Sequence, residues 1–461
     1  MQNSFKTYCN RWCKAWFPTF DKLGLTSNGD PKGGLAIGAY STLFSINPPS
    51  QNRSWSATAY YTPNAQRKNL KVLTNARVTK VNFAPSKDPK GDLTASSLTF
   101  TDGDGKSHTT AKVRSEIILS AGSLQSPQLL ELSGIGDPAI LNPLGIKPLL
   151  RNAAVGANLQ DHLLVSLSFE VADGEETNEA FRDPKAFEEA VQQATVNHTG
   201  LLASGAPSGY FSLKQILDIL GPRDIPRDVL DLKNSLPTSS SSSTVPSSSK
   251  LSLMDKLTIA KTLSPKEASF QIVYISGGTS PANVSKPTVY LSSDPATAPG
   301  KYFSLFVVLE HPFSSGSVHI SSADPTQLPA VDPNYLADAK DLALISAAVL
   351  AAQKIVTQPP LSSLLKNGGT TYQPGFPSRI TPTNVADFVK STFGSEYHPM
   401  GTCAMLPRAA GGVVDARFRV YGTKNLRVVD ASVFPSMVRG NLQTLVYAVA
   451  EKAADLIRED A

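Results

Sequence analysis

The chain has 461 residues, of which 41% are hydrophobic and 31 are glycine, a composition typical of a globular protein. Its length exceeds what one compact core needs, so we expect two or three domains. The net charge of +5 is spread thinly along the chain, which argues against a nucleic-acid-binding protein. No apolar run reaches the roughly 18 residues that a bilayer requires, so we predict no membrane span.

The first 50 residues are rich in Gly, Pro, Asn and Ser, include the aromatic residues Trp12, Trp16 and Phe17, and predict loops with one short helix. The three cysteines, Cys9, Cys13 and Cys403, do not make a disulfide framework. Cys9 and Cys13 are spaced for one helical face, and no Cys/His set completes a zinc site, so we expect ordinary thiols and no bound metal.

The N-terminal sequence lacks the apolar stretch of a signal peptide, which leaves the location of the protein open. Secretion is compatible with three glycosylation triplets, at Asn52, Asn197 and Asn283.

The next segments predict short elements in quick succession. We expect a helix from Ser54 to Arg67, and residues 69–83 alternate around a turn at Thr74 and Asn75, which is typical of two short strands. Residues 93–115 indicate a hairpin with its turn at 102–105, and a buried strand is predicted after it, at 116–120.

A helix is predicted between Ser126 and Gly134. Ser126 has a side chain that can cap a helix, Pro127 suits the first helical position, and Gly134 suits the exit.

The middle of the chain is rich in strand-forming residues. Four stretches predict a sheet of strands that are distant in sequence: 162–171, 266–276, 301–309 and 316–320. Residues 341–356 are apolar at helical spacing. The serine-rich tract at 236–250 cannot bury a core, so we expect a disordered surface loop there.

Two nucleotide-like motifs are rejected. GIGDPA (134–139) has the letters of a dinucleotide fingerprint, but it comes after a helix instead of a strand and contains Pro138. GDGKS (103–107) lacks the first glycine of a phosphate-binding loop, since position 100 is Phe, and a hairpin turn explains it better.

The most informative block is the last one, which begins with SEYHPMGTCAML and runs to the C-terminus. His398 lies near its start and is succeeded by Pro399 and the small residues 401–404, which allow close approach of the backbone to a flat ligand. A strand, a turn and a second strand then lead to Asp430. An imidazole whose ordinary pKa lies near 6.5 is a suitable general base at neutral pH.

Asn441 stands at the start of the closing helix, where we expect it to cap the helix as well as to serve a catalytic role. The predicted buried stripe of this helix comprises Leu442, Leu445, Val446, Val449, Ala450, Ala453 and Ile457. The helix start has unpaired N–H groups and a partial positive charge, which suits a ligand that accumulates negative charge.

Three segments resemble the glucose-methanol-choline (GMC) oxidoreductases, which are FAD-dependent alcohol-oxidising enzymes. They are RSWSATAYYTPNAQRKNLKVLTNARVTKV (53–81), SAGSLQSPQLLELSGIG (120–136) with VGANLQDH (155–162) just after it, and the block from His398 to the C-terminus. HPFSSGSVHISSADPTQLPAVDPNYL (311–336) is a weaker match. The segments occur in the family's order and span most of the chain.

The resemblance implies FAD as cofactor, a small-molecule alcohol as substrate, and a role for individual residues. His398 resembles the base that takes the hydroxyl proton, and Asn441 stands where members place histidine or asparagine to orient the same oxygen. The implied cofactor contacts are Val78 at the adenine, Asp430 and Ala431 beside the diphosphate, and Leu442 and Gln443 under the isoalloxazine. The hydride from carbon would pass to the flavin.

The sequence departs from the family in one respect. It has neither the βαβ unit with G-x-G-x-x-G nor the G-G-S-S loop, so we expect a fragment in preference to a protein that has lost its flavin. Two other functions stay open: non-redox lyase or cyclase chemistry on the same scaffold, in which the flavin would stay oxidised, and a truncated inactive remnant. Which alcohol is the substrate, and the oligomeric state, are undetermined.

The expected fold class combines α/β and α+β architecture: an incomplete, Rossmann-like FAD-binding domain interleaved with a substrate domain built on an antiparallel sheet. We expect residues 1–65 and 161–394 in the substrate domain. Residues 66–160 and 395–461 should form the FAD-binding domain, with the active site in the second of these parts.

Overall fold

The computed structural model describes residues 4–6, 8–25, 33–34, 37–85, 91–110, 112–235, 252–279 and 295–460. The chain divides into two compact units. The first comprises Met1–Arg67, Leu163–Phe313 and Asp338–Glu396, and the second comprises Lys68–His162, Ser314–Ala337 and Tyr397–Ala461. The predicted serine-rich loop (236–250) and the triplet at Asn283 lie outside the described residues.

The first unit is built on one antiparallel sheet. Numbered along the whole chain, its strands are β1 (Gly38–Tyr40), β8 (Leu163–Glu170), β9 (Ser208–Phe211), β10 (Phe270–Ile275), β11 (Tyr302–Leu309) and β14 (Phe393–Ser395). They lie in the order β1-β9-β10-β11-β8-β14, and every pairing is antiparallel. Residues distant in sequence therefore form one sheet, as the strand-rich stretches predicted, and the antiparallel-sheet part of the expected fold is confirmed.

Helices accompany this sheet. They are α1 (Arg11–Lys22), α4 (Pro184–Gln192), α5 (Leu213–Leu220), α6 (Arg227–Ser235), α7 (Leu253–Leu263), α8 (Ala339–Val356) and α9 (Val385–Thr392). Helix α8 is apolar nearly all round and packs against β11, α5 and α9, which explains why its residues are almost all buried. On α1, the ring of Trp12 stacks on Phe303 of β11 at a centroid distance of 4.7 Å.

The second unit has shorter strands. They are β2 (Arg77–Ala84), β3 (Thr94–Thr101), β4 (Ser107–Thr109), β5 (Ile117–Leu119), β6 (Ile135–Gly136), β7 (Leu150–Arg151), β12 (Ser317–His319), β13 (Ala330–Asp332) and β15 (Leu426–Val428). Its helices are α2 (Gly122–Leu132), α3 (Pro138–Leu141) and α10 (Gln443–Asp460). Strands β2, β3 and β4 form an antiparallel sheet, whereas β5 pairs with β15 in parallel.

One core holds the second unit together. It includes Val81 of β2, Leu119 of β5, Leu130 of α2, Val428 of β15 and Leu456 of α10, all of which are buried. Because these residues come from distant parts of the chain, the unit brings the VGANLQDH segment and the C-terminal block into one body.

Apart from shifts of two residues at the boundaries, which place Asp161 and His162 in the second unit, the division into units differs from the expected one in one segment. We placed residues 161–394 in the substrate domain, but residues 314–337 pack in the second unit. Strand β12 pairs with β13 instead of joining the large sheet. The backbone N–H of Val318 donates to the carbonyl of Gly156, and the buried Glu131 accepts hydrogen bonds from the ring of His319 and the N–H of Ile320.

Two local predictions were wrong for reasons visible in the backbone. Only the second of the two strands predicted at 69–83 forms, because no described strand pairs with residues 69–76, and Val72 and Leu73 stay exposed.

Helix α2 begins at Gly122, before the predicted cap at Ser126, and Pro127 lies inside it. The hydroxyl of Thr402 donates to the carbonyl of Ser123, the group that Pro127 leaves without its helical partner.

The cysteine prediction was also wrong. Cys9 and Cys13 form a disulfide, with a Cα–Cα distance of 5.3 Å. Cys9 lies before the helix cap Asn10, whose side chain accepts from the N–H of Cys13, and this turn brings the two sulfurs together. Cys403 is a free, buried thiol.

The remaining segments agree with the predictions in outline. The hairpin turn after β3, the exit at Gly134 with a positive φ of 86°, and the long α8 were all expected. The helix at 54–67 is reduced to one π-helical and one 3₁₀ turn. None of the described helices is long and apolar enough to cross a bilayer.

Candidate active site

The candidate site lies within the second unit, where the VGANLQDH segment runs beside the loop that contains His398. The backbones of Gln160 and Met400 form an antiparallel bridge, with N–H to carbonyl distances of 2.9 and 3.0 Å in the two directions. In an antiparallel register, residues two positions beyond such a bridge lie opposite each other. His162 is therefore opposite His398.

The two imidazole rings are in contact. Nδ1 of His162 lies 2.9 Å from Nδ1 of His398, and the rings meet edge to face, with an interplanar angle of 84°. The other nitrogen of His162, Nε2, lies 3.0 Å from the carbonyl oxygen of Val438. His162 is 1% exposed, so its ring nitrogens depend on protein partners.

Asn441 lies on the opposite side of His398. Its Nδ2 is 3.1 Å from Nε2 of His398, so the two residues, 43 positions apart in sequence, can contact one guest atom. The helix cap that we expected at Asn441 is one residue further on. The carbonyl of Leu442 accepts from the N–H of Val446 and begins α10, which leaves the Asn441 amide directed at the histidine.

Asp161 fixes the backbone of His398. One carboxylate oxygen accepts from the N–H of His398 at 2.8 Å, and the other accepts from the hydroxyl of Tyr335 at 2.5 Å. Asp161 is 9% exposed, and charge-assisted hydrogen bonds of this kind are stronger than neutral ones. His398 is thus held through its backbone by Asp161 and through its ring by His162.

The loop after His398 has little freedom. Gly401 has a φ of +90°, and a Cβ at this position would lie 2.5 Å from the carbonyl oxygen of Asn158, so no other residue fits. The N–H of Gly156 donates to the carbonyl of Thr402, and the N–H of Cys403 donates to the carbonyl of Ser432. The small residues expected to allow close approach to a ligand also permit this close backbone packing.

Burial sets the protonation of the candidate base. It lowers the pKa of His398 to about 4 from its ordinary 6.5, since the imidazolium form loses hydration. His398 is consequently neutral at physiological pH and has a lone pair with which to accept a proton.

A cavity of about 480 Å³ lies at the end of β5 and the start of α2. Its lining comes from Ala76, Arg77, Val78, Leu98, Ile118, Leu119, Ser120, Ala121, Gln125, Gln128, Leu129, Leu132 and Pro325. The volume falls within the range of ligand pockets, and the carboxyl end of a parallel strand is where α/β folds bind nucleotides. The predicted adenine contact, Val78, thus borders a cavity of the size of a ligand pocket.

The predicted diphosphate residue Asp430 has a fully engaged side chain. One oxygen accepts from the N–H of Gly122 and the hydroxyl of Ser126, and the other accepts from the N–H and hydroxyl of Ser432. This carboxylate joins the start of α2 to the turn after β15, so any contact of Asp430 and Ala431 with a diphosphate falls to their backbone.

The remaining predicted cofactor contacts stand at the start of α10. Leu442 is buried in the core of the second unit, and Gln443 is the exposed first residue of the helix. Of the predicted stripe, Leu442 and Ala453 are buried, four members are half-buried and Ala450 is exposed. The sequence therefore predicted more burial along α10 than the described chain provides.

Sequence reasoning missed two residues of the site, Asp161 and His162. They were quoted only as part of a matching segment, and no role was derived for them. The available signal was their position, because two ionisable residues directly precede β8, a strand that is almost wholly buried. Polar residues at such a place need specific partners.

The chain is similar in sequence to known proteins. Family profiles described as GMC oxidoreductase match residues 6–164 and 312–450. "Dehydrogenase mpl7" of Monascus purpureus is 33% identical over 96% of this chain and 69% of its own length. A pyranose dehydrogenase of Agaricus campestris is 31% identical over 93% of this chain and 63% of its own length.

The fold is shared with a solved structure. An FAD-dependent oxidoreductase from Chaetomium thermophilum superimposes with a TM-score of 0.80, at 22% identity, over 99% of this chain and 73% of its own. The chain thus spans about two thirds to three quarters of the length of these proteins.

Proposed function

Since the chain belongs to the GMC oxidoreductase family, we propose that it takes part in the FAD-dependent oxidation of an alcohol, with His398 as the base. The observation that supports this most is the position of a neutral, half-buried imidazole 3.1 Å from the amide of Asn441. A base and a hydrogen-bond donor that converge on one point suit a substrate hydroxyl.

FAD is the cofactor of this family. The cavity beside Val78 would hold its adenine end, and the backbone of Asp430 and Ala431 would meet the diphosphate. Leu442 and Gln443, where α10 begins, would lie under the isoalloxazine, where the positive end of a helix favours negative charge. Bound FAD would supply the acceptor for the hydride that leaves the alcohol carbon.

His398 would take the hydroxyl proton on Nε2. A hydroxyl oxygen placed beside both atoms would replace their direct contact, donating its hydrogen to Nε2 of His398 and accepting a hydrogen bond from Nδ2 of Asn441. As the proton moves to the imidazole, the substrate oxygen gains negative charge, which the amide donor stabilises. Loss of hydride from the adjacent carbon then yields the carbonyl product.

The substrate class rests on the names of relatives. The pyranose dehydrogenase of A. campestris is named for a sugar that has hydroxyl groups on ring carbons, and the M. purpureus relative is named a dehydrogenase. These names support a substrate in which an alcohol carbon has a hydrogen to lose.

Anaerobic flavin reduction tests the proposal. The purified chain is saturated with FAD, binding is measured by fluorescence quenching, and the flavin absorbance is monitored after addition of aryl, aliphatic and sugar alcohols. We expect reduction by at least one class, and we expect H398Q to slow it by roughly 10²- to 10⁴-fold, the usual contribution of a general base.

Two variants make the test specific. N441L removes the amide at similar volume and should slow reduction, whereas N441H retains a donor and should keep a larger part of the rate. H108Q, in strand β4, serves as a control that should match the native chain. Flavin that stays oxidised with every alcohol, or an H398Q variant as fast as the native chain, would overturn the proposal.

A further inference from the structure

His162 makes hydrogen bonds through both of its ring nitrogens, and these hydrogen bonds bear on which nitrogen of His398 is basic. We propose that His162 is a positioning residue that fixes the tautomer of His398, so that Nδ1 of His398 carries the hydrogen and Nε2 presents its lone pair at the substrate position. The inference rests on the proposed role of His398 as the base and adds a residue that acts through it.

The carbonyl of Val438 sets the direction of the hydrogen bonds between His162 and His398. The carbonyl of Val438 can only accept, so the neighbouring Nε2 of His162 must be the donor. In a neutral imidazole the other nitrogen is then an acceptor, and Nδ1 of His162 accepts from Nδ1–H of His398 at 2.9 Å. Nε2 of His398 is left with its lone pair, which accepts from the Nδ2 of Asn441 at 3.1 Å.

The opposite arrangement is disfavoured at its first step. If His398 carried its hydrogen on Nε2, its Nδ1 would need a donor from His162, and a neutral His162 would then point a lone pair at the carbonyl of Val438. Two acceptors would face each other 3.0 Å apart around a residue that is 1% exposed, without water to separate them. A buried acceptor pair of this kind is unfavourable, because neither lone pair has a donor to bind.

The backbone holds this arrangement in place. The bridge between Gln160 and Met400 sets the two histidines opposite each other, and Asp161 binds the N–H of His398. Because the facing positions come from two backbone segments in register, the two rings extend from neighbouring backbone positions.

The tautomer decides whether His398 can act. With a hydrogen on Nε2, the ring would direct an N–H at the substrate oxygen and could not receive its proton. His162 also accepts from the imidazolium that forms after proton transfer. Residues that orient a metal-bound histidine from behind commonly contribute roughly 10- to 100-fold, and we take the same range for His162 behind His398. We expect a loss of this size in kcat, with little change in KM, when His162 loses its acceptor.

Histidine-selective ¹⁵N NMR tests the assignment on the full chain at neutral pH, with or without FAD. The chain has six histidines, so single substitutions assign each ring. We expect His398 of the native chain in the Nδ1–H tautomer. In H162L, which has no acceptor, a substantial Nε2–H population should appear, whereas H108L should leave the His398 signals unchanged.

The outcomes separate this inference from the proposed function. A native His398 in the Nε2–H form, or a His398 signal unchanged in H162L, overturns the inference whatever the activity. H162N, which retains an oxygen near the Nδ1 position of the original ring, should recover part of the Nδ1–H population and of kcat, and it replaces H162L if the leucine variant does not fold. A fully active H398Q variant would overturn the role of His398 as base, while the spectra still decide its tautomer.

Discussion

The stability of the protein should depend on pH through His398 in a predictable way. Burial keeps the folded-state pKa of His398 at about 4, while the unfolded chain has the ordinary 6.5. The unfolded state therefore binds a proton more readily than the folded state. The stability associated with a neutral His398 is fully present above pH 6.5, is lost as the pH falls from 6.5 towards 4, and changes no further below that.

The size of this effect can be worked out for two pH values. At pH 7.5 both states are neutral at His398, so the contribution is close to zero. At pH 4.5 the unfolded state is almost fully protonated and the folded state only partly, and the difference amounts to about 2.5 kcal/mol of lost stability. Other ionisable groups also titrate in this range, so the comparison must remove only His398.

Urea denaturation of the native chain and of H398Q at both pH values isolates the contribution of His398. The native chain should lose about 2.5 kcal/mol more than H398Q between pH 7.5 and 4.5, since glutamine does not titrate. H198Q, which removes a histidine from the first unit, should lose as much as the native chain. Equal losses in the native chain and H398Q would refute the reasoning that burial keeps this imidazole neutral.

Two further predictions concern the surroundings of the site and the N-terminal helix. Gly401→Ala should destabilise the fold by more than about 2 kcal/mol and abolish flavin reduction, because its Cβ would lie 2.5 Å from a backbone carbonyl oxygen. Gly411 has a similar φ of +85°, but a Cβ there would have nothing within 4 Å. Gly411→Ala should therefore cost only about 1 kcal/mol in thermal denaturation. Alkylation of the denatured chain without reductant should modify Cys403 alone, and reduction should add Cys9 and Cys13, as counted by mass spectrometry. Three modified cysteines before reduction would contradict the disulfide.

Elements that contain their own signals could be predicted from the sequence. Helix α8 is apolar at helical spacing and is buried on nearly every side, so the pattern predicted both its type and its environment. The turn after β3 has Gly105 at a φ of +78°, a conformation that glycine favours. In both cases the interactions that decide the structure lie within a few residues.

Elements that depend on distant partners could not be predicted. Residues 69–76 alternate as a strand would, yet without a paired strand they form none, because an isolated strand has no hydrogen-bond partners. The start of α2 shows the same limit. Pro127 suits a first helical position, but it lies inside α2, where the hydroxyl of Thr402 replaces the missing hydrogen bond from a position 275 residues later. Nothing near Pro127 in sequence indicates that donor.

The site shows why a residue's chemistry is easier to predict than its surroundings. His398 and Asn441 were singled out because their side chains suit proton transfer and hydrogen bonding at the start of a helix, and the structure brings them within 3.1 Å. Asp161 and His162 act on His398 only after a backbone bridge pairs their segment with residues 398–400. That pairing is a tertiary contact, and a histidine beside an aspartate in sequence is equally consistent with a surface turn.

The proposed base His398 depends on two adjacent residues that cannot be exchanged for each other. Asp161 restrains the backbone of His398 through its N–H, while His162 directs the ring through Nδ1. Removing the carboxylate should loosen the position of the imidazole without changing which nitrogen bears the hydrogen. Removing the second imidazole should change the hydrogen without moving the backbone. A base held at only one of these points would be correctly protonated but misplaced, or correctly placed but unable to accept a proton. We therefore expect His398 to need both residues.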